Sequence, residues 1–173
     1  GLGAGYQPTG AMLCTDKIYS AIETGSGFFQ HGHTYLGHPV ATAAALAVVQ
    51  ELIGRDLPAR AQTMGEKLQS ALEAAFGQHA HVGDIRGRGL FRGIEIVEDR
   101  DSKKPFDPAL GIAGKLKKAA FEEGLICYPM AGTRDGRHGD HVLLAPPFII
   151  EETQIDELVV KLASAMVKVL PAP

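Results

Sequence analysis

Cysteine is scarce in this chain: Cys14 and Cys127 are the two among 173 residues. Neither belongs to a CxxC pair or stands at a metal-ligand spacing from histidine. That favours two buried free thiols in apolar surroundings over a disulfide or a metal role. A surplus of one charge is also missing. Seventeen basic residues face 20 acidic ones for a net charge of −3, so nothing electrostatic invites nucleic acid, and no like-charge run forms a tail. No uncharged apolar run approaches the roughly 18 residues of a membrane span, and no secretory signal precedes the domain, so a soluble cytoplasmic protein is the expectation. Internal repeats and low-complexity tracts are absent. What is present is a 45% hydrophobic content, enough to build the core of one domain, or of one domain plus a neighbouring piece.

The densest concentration of chemistry is FFQHGHTYLGHPVATAAALAVV, Phe28 to Val49. His31, His33, Thr34, Tyr35 and His38 stand directly before Pro39, which suits the first position of a helix because its missing N–H costs nothing there. Val40 to Val49 carries no charge and is apolar on almost every face, which predicts a helix buried on all sides. A helix amino end attracts anions through its free N–H groups and its dipole. Three histidines also raise the question of a metal. With no cysteine or carboxylate at ligand spacing between them, and His38 committed to a helix entrance, no metal is assigned.

Elsewhere the pattern is that of an α/β layer domain, helices packed on a small sheet. Gly1 to Gly10 is a glycine-rich turn whose spacing is wrong for a nucleotide fingerprint. Ala11 to Cys14 reads as a short buried strand and Asp16 as the cap of a helix carrying Ile18, Tyr19 and Ile22. From Asp56, apolar residues at three and four residue steps from Ala61 to Phe76 predict an amphipathic connecting helix ending at Gly77. The expected boundaries are 1–55 for a first domain piece, 56–78 for the connector and 79–173 for a carboxy-terminal small domain. Val82 to Gly87 and Leu90 to Val97 alternate as two neighbouring strands, followed by a charged loop from Glu98 to Pro105. A helix after Asp107–Pro108 turns Ala109, Ile112, Ala113, Leu116 and Ala120 inward and stops at Gly124. Leu125 to Tyr128 and Val142 to Ala145 are the remaining strands. A last helix from about Thr153 to Leu170 packs Ile155, Leu158, Val159, Leu162, Met166 and Val169 on one face. Even spacing sends Arg86, Arg88 and Arg92 to one sheet face, unless Gly87 and Gly89 break the register. A salt bridge or a substrate carboxylate is the partner expected for them.

Four blocks together, GLGAGYQPTGAML, HGHTYLGHPVATAAALAV, IRGRGLFRGIEI and GDHVLLAPPFII, resemble class III aminotransferases, the ω-type of pyridoxal-phosphate enzyme. They cover nearly the whole chain but only the second part of such an enzyme. The resemblance implies an α+β small domain belonging to a fold type I transferase, with pyridoxal 5'-phosphate as cofactor. It implies amino-donor and keto-acid substrates, and a homodimer whose active sites are shared across the interface. The family's Schiff-base lysine is expected immediately before Gly1, so no catalytic residue is assigned within the chain. A fragment beginning there is expected to be inactive alone.

Two groups of binding residues follow from the same resemblance. Thr34, in a motif resembling HGxTYxGHP, is implied to reach the cofactor phosphate of the neighbouring subunit, with His33 and Tyr35 in the wall beside it. Read without the family, Thr34 is a turn residue that satisfies local backbone groups. In GTRDGRHGDH, Gly132 to His141, Arg137 and, second, Arg134 match the family's arginine that clamps a substrate carboxylate or swings out to admit an apolar or amine substrate. A guanidinium fork pairs bidentately with a carboxylate, and flanking glycines let a loop move it; the plain alternative is a solvated surface arginine. Leu144 stands where ornithine-type relatives carry a carboxylate-binding arginine, which argues against their specificity. Two other readings remain at this stage: a non-catalytic dimerisation or interaction domain, and an enzyme of the same fold with another reaction, such as racemisation or decarboxylation.

Overall fold

The computed structural model describes residues 1–171. The chain divides into two compact units, Gly1–Asp56 and Leu57–Pro173.

The first unit contains two helices, α1 (Asp16–Thr24) and α2 (Pro39–Gly54). Ala11 to Cys14 is exposed irregular backbone, not a buried strand, because a short extended segment without a partner cannot complete a ladder of hydrogen bonds. Asp16 is the first residue of α1 and not its cap, which is Thr15, without a side-chain capping bond. Helix α2 starts as expected, with Pro39 in its first turn and His38 as N-cap. The expectation of burial is not met, since α2 has no buried residue; Val40, Leu46 and Ile53 are all more than half exposed. Burial of an apolar helix requires a second layer, and two helices joined by loops do not supply one. Cys14 is exposed for the same reason, and Cys127 in the second unit is half-buried, so neither is the fully buried thiol anticipated. Burial nevertheless pushes the Cys127 thiol up from its ordinary pKa.

The second unit is built on α3 (Leu57–Phe76), β1 (Val82–Arg88), β2 (Phe91–Ile96), α4 (Ile112–Glu122), β3 (Tyr128–Ala131), β4 (Asp140–Leu144) and α5 (Glu152–Val169). The sheet is antiparallel throughout, in the order β1-β2-β4-β3. The three helices cover one face. Leu68 and Leu72 of α3, Ile94 and Ile96 of β2, Leu116 of α4, Val142 of β4, and Leu162 and Met166 of α5 meet in one core, each burial contributing on the order of 2 kcal/mol. The three- and four-residue steps in α3 and the apolar stripe of α5 are therefore core faces, as their periodicity predicts. Before α4, Pro108–Leu110 is a separate 3-10 turn, and Gly111 at φ +62° redirects the chain into the helix. Ala109 in that turn is exposed and not inward. The third strand begins at Tyr128 and not at Leu125, because Leu125 and Cys127 pack against the core from irregular backbone.

Two arginines bind the layers together. Arg60 donates to the carbonyls of Phe148 (3.1 Å) and Ile150 (2.7 Å) and pairs with Glu151 (3.0 Å), fastening the start of α3 to the turn before α5. Arg92 is buried and donates to Gly87 O (2.8 Å) and Gly65 O (2.9 Å). Its face is opposite to that of Arg86 and Arg88, contrary to simple counting. Cross-strand partners are Arg88 with Phe91 and Gly87 with Arg92, and partners joined across a two-residue turn have opposite parity. Arg86 stays on the open face, held by Asp84 (2.7 Å) and Glu95 (3.0 Å).

Candidate functional site

The anticipated site residues fall into both units. In the first, Thr34 to Gly37 form a turn whose Leu36 N–H bonds to His33 O (2.9 Å), while His38 N–H bonds to Tyr35 O (3.1 Å). His33, Thr34 and Tyr35 are all exposed, and Tyr35 is 81% accessible. The Thr34 hydroxyl has no hydrogen-bond partner among the described residues, so it is not consumed by local backbone as a plain turn residue would be. His31 and His33 meet edge to face, with centroids 5.2 Å apart.

The amino end of α2 is less open than a bare helix end. His38 Nδ1 accepts from Ala41 N–H (3.4 Å), and the His38 carbonyl accepts from Thr42 N–H (3.0 Å). Pro39 has no N–H to offer. What remains for an anion is the helix dipole, the Val40 N–H and the uncommitted Thr34 hydroxyl. A phosphate suits donors of this kind: a free hydroxyl five residues before the helix and an N–H at the positive end of a sixteen-residue helix.

In the second unit, Gly132 to Gly139 is the loop joining β3 to β4. Thr133 N–H bonds to Gly139 O (3.2 Å), Arg134 N–H to His138 O (2.9 Å) and Gly136 N–H to Gly132 O (2.9 Å). Asp135 organises its tip: Oδ1 accepts from the N–H groups of Arg137 (2.9 Å) and His138 (2.7 Å), and Oδ2 lies 2.8 Å from His138 Nδ1. Arg134 and Arg137 are both exposed. Among the described residues neither guanidinium is in an ion pair, so both forks are free for a ligand. Leu144 faces the core and is almost fully buried.

Asp135 and His138 had drawn no attention in the sequence, although the Asp-Gly dipeptide of RDGRHG is a turn signal that reaches them. The two loop N–H groups, foremost that of His138, hold the Asp135 carboxyl well below the usual carboxylate range. A carboxyl depressed in this way favours the ordered loop at every pH above its unordered value and loses that contribution as the pH falls through its lowered one. The Arg137 and His138 amide resonances are therefore expected to keep their positions down to about pH 4 and to move toward random-coil values only in stronger acid. Asp135→Asn should abolish that acid transition; its persistence would assign the acid response to another carboxylate.

The family model for class III aminotransferases matches residues 1–166. The chain belongs to this family. It is 44% identical over 172 residues to an uncharacterised aminotransferase of Schizosaccharomyces pombe, covering 99% of this chain and 37% of that protein. Among solved structures it is similar to a transaminase from the marine bacterium Virgibacillus, with a TM-score of 0.90 and 35% identity over 98% of this chain and 38% of the other. It is also similar to an amine transaminase from an uncultivated Pseudomonas species in a PLP-bound form, with a TM-score of 0.85 and 34% identity over 98% of this chain and 37% of that one. The chain spans a little over a third of the length of the relatives it matches. Pyridoxal 5'-phosphate is the cofactor of the family. Among the described residues, no helix is long and apolar enough to cross a membrane.

Proposed function

We propose that this chain serves as the carboxy-terminal part of a class III aminotransferase that moves an amino group from an amine or ω-amino acid to a keto acid such as pyruvate. The observation that carries the reading is the exposed, uncommitted Thr34 hydroxyl in the turn that leads into α2. When bound, pyridoxal 5'-phosphate supplies the electron sink and the group carrier for amino transfer. Thr34 would hold a phosphate oxygen of the neighbouring subunit's cofactor through a hydrogen bond from its hydroxyl, with His33 and Tyr35 in the wall beside it. Arg137, with Arg134 as its neighbour on the same loop, takes the substrate carboxylate in a two-pronged hydrogen bond that fixes orientation. In this reading the chain supplies residues that bind and orient cofactor and substrate, and none of its residues is assigned the proton transfer. The amine transaminase similarity supports the donor class.

The reading is tested in the full-length enzyme by Thr34→Ala. Loss of one charge-assisted hydrogen bond is expected to weaken cofactor retention about tenfold or more, measured by absorbance of the cofactor remaining after dialysis. Thr34→Ser should retain it. Equal retention in wild type and Thr34→Ala would remove Thr34 from the phosphate site. A homodimer with shared sites adds a second expectation. Mixing a Thr34→Ala protomer with a protomer disabled in the preceding part should give heterodimers in which one of the two sites has both intact components.

A further inference from the structure

We infer that Thr133 and His141 form the latch that sets the position of the Arg137 loop, which makes His141 a positioning residue for carboxylate recognition. The inference rests on the reading of Arg137 as the carboxylate clamp. Residues 132–139 form a closed cap: three backbone hydrogen bonds cross it, and at its tip the Asp135 carboxylate takes two N–H donors and the His138 ring. Such a cap moves as a unit more readily than it unravels. Its two ends are Gly132 at φ +77° and Gly139 at φ +91°, conformations that other residues rarely adopt. A Cβ at Gly132 would come within 2.9 Å of Gly136 O, and one at Gly139 within 3.2 Å of Arg134 N.

Among the described residues, the side-chain tie between this cap and the sheet is the hydrogen bond between the Thr133 hydroxyl and His141 Nδ1. His141 stands on the open face of β4, paired across the sheet with Glu95 of β2 and Met130 of β3. Glu95 is itself tied to Arg86 of β1. A continuous polar row therefore runs from β1 across the sheet to the root of the loop. Burial, and after it the Arg86 guanidinium, lower the His141 pKa from its ordinary value, so the imidazole is uncharged at neutral pH and meets the hydroxyl as a neutral partner. Thr133 also lies 3.4 Å from Gly139 O, which joins the latch to the second glycine. With the latch closed, the loop presents its arginines from one position. With it broken, the cap turns about Gly132 and Gly139, and Arg137 samples many.

The test is a comparison of two amino acceptors in the full-length enzyme, pyruvate and an aldehyde of similar size lacking the carboxylate. Thr133→Val and His141→Phe are expected to lower the ratio of kcat/KM for pyruvate to kcat/KM for the aldehyde about tenfold, chiefly through KM for pyruvate. Arg137→Ala should lower the same ratio at least as far, and adding Thr133→Val to Arg137→Ala should lower it no further. Thr133→Ser, which keeps the hydroxyl, should restore the ratio; a merely structural loss would instead affect both acceptors alike. If Arg137→Ala lowers the ratio while Thr133→Val and His141→Phe leave it unchanged, the latch is overturned and the carboxylate clamp stands. If Arg137→Ala itself leaves the ratio unchanged, the clamp is overturned and the latch with it.

Discussion

Gly65→Ala is expected to destabilise the second unit by about 3 kcal/mol, although it puts a better helix former in the interior of α3. Two effects compete at this position. Replacing glycine in a helix gains about 1 kcal/mol from the backbone entropy of the unfolded chain. Against that, a Cβ on Gly65 would lie 2.1 Å from the carbonyl oxygen and 2.6 Å from the Cα of Gly89. Both obstacles are backbone, so no rotamer change relieves them. Gly89 also sits at φ +54° in the two-residue turn between Arg88 and Phe91, a turn whose geometry fixes the register of β1 against β2. The helix must then move off the hairpin, opening the core around Leu68 and Leu90. Gly114 in α4 provides the control, because a Cβ there meets nothing within 4 Å. Gly114→Ala should stabilise by about 0.5–1 kcal/mol. Urea midpoints of the two variants should therefore move in opposite directions; a Gly65→Ala midpoint at or above that of wild type would show that α3 and the hairpin separate without cost.

The contrast between these glycines marks where sequence reading reaches its limit. Periodicity suffices for α3, α5 and the β1–β2 hairpin, since one buried face dictates each of those patterns. It is silent on which glycine is a spacer, because that depends on what crosses the helix in space. The Phe28 to Val49 stretch shows a related limit. The helix start at His38–Pro39 is local chemistry and was legible, whereas the burial of Val40 to Val49 is a property of the layer opposite it and was not. Leu125 to Cys127 reads as strand by its apolar character, yet Leu125 and Cys127 reach the core without joining the sheet while Ile126 points to solvent. Within the candidate site, the exposed arginines and Thr34 stand out by residue type and motif. Asp135, His138 and the Thr133–His141 pair do not, because their significance lies in hydrogen bonds within a loop whose fold no periodicity announces.

Arg92 is the second position where a large effect is expected, and its sign depends on the replacement. The residue is 7% accessible; its guanidinium bonds two carbonyls and leaves Nε buried without a partner. Among the described residues no carboxylate pairs with it. A desolvated cation with two neutral acceptors and one idle donor is a weak source of stability, since desolvation of the charge offsets most of what the two hydrogen bonds contribute. Truncation is a different matter. Arg92→Ala also removes the stem packed between α3 and the hairpin and opens a cavity, about 3 kcal/mol. Arg92→Met keeps most of the volume and removes the buried charge, so its stability should lie within about 1 kcal/mol of wild type or above it. The comparison separates packing from hydrogen bonding at this site. Loss in the methionine variant equal to that in the alanine variant would mean that the bonds to Gly65 and Gly87, and not the stem, hold α3 to the hairpin. The register of β1 would then depend on a single buried side chain.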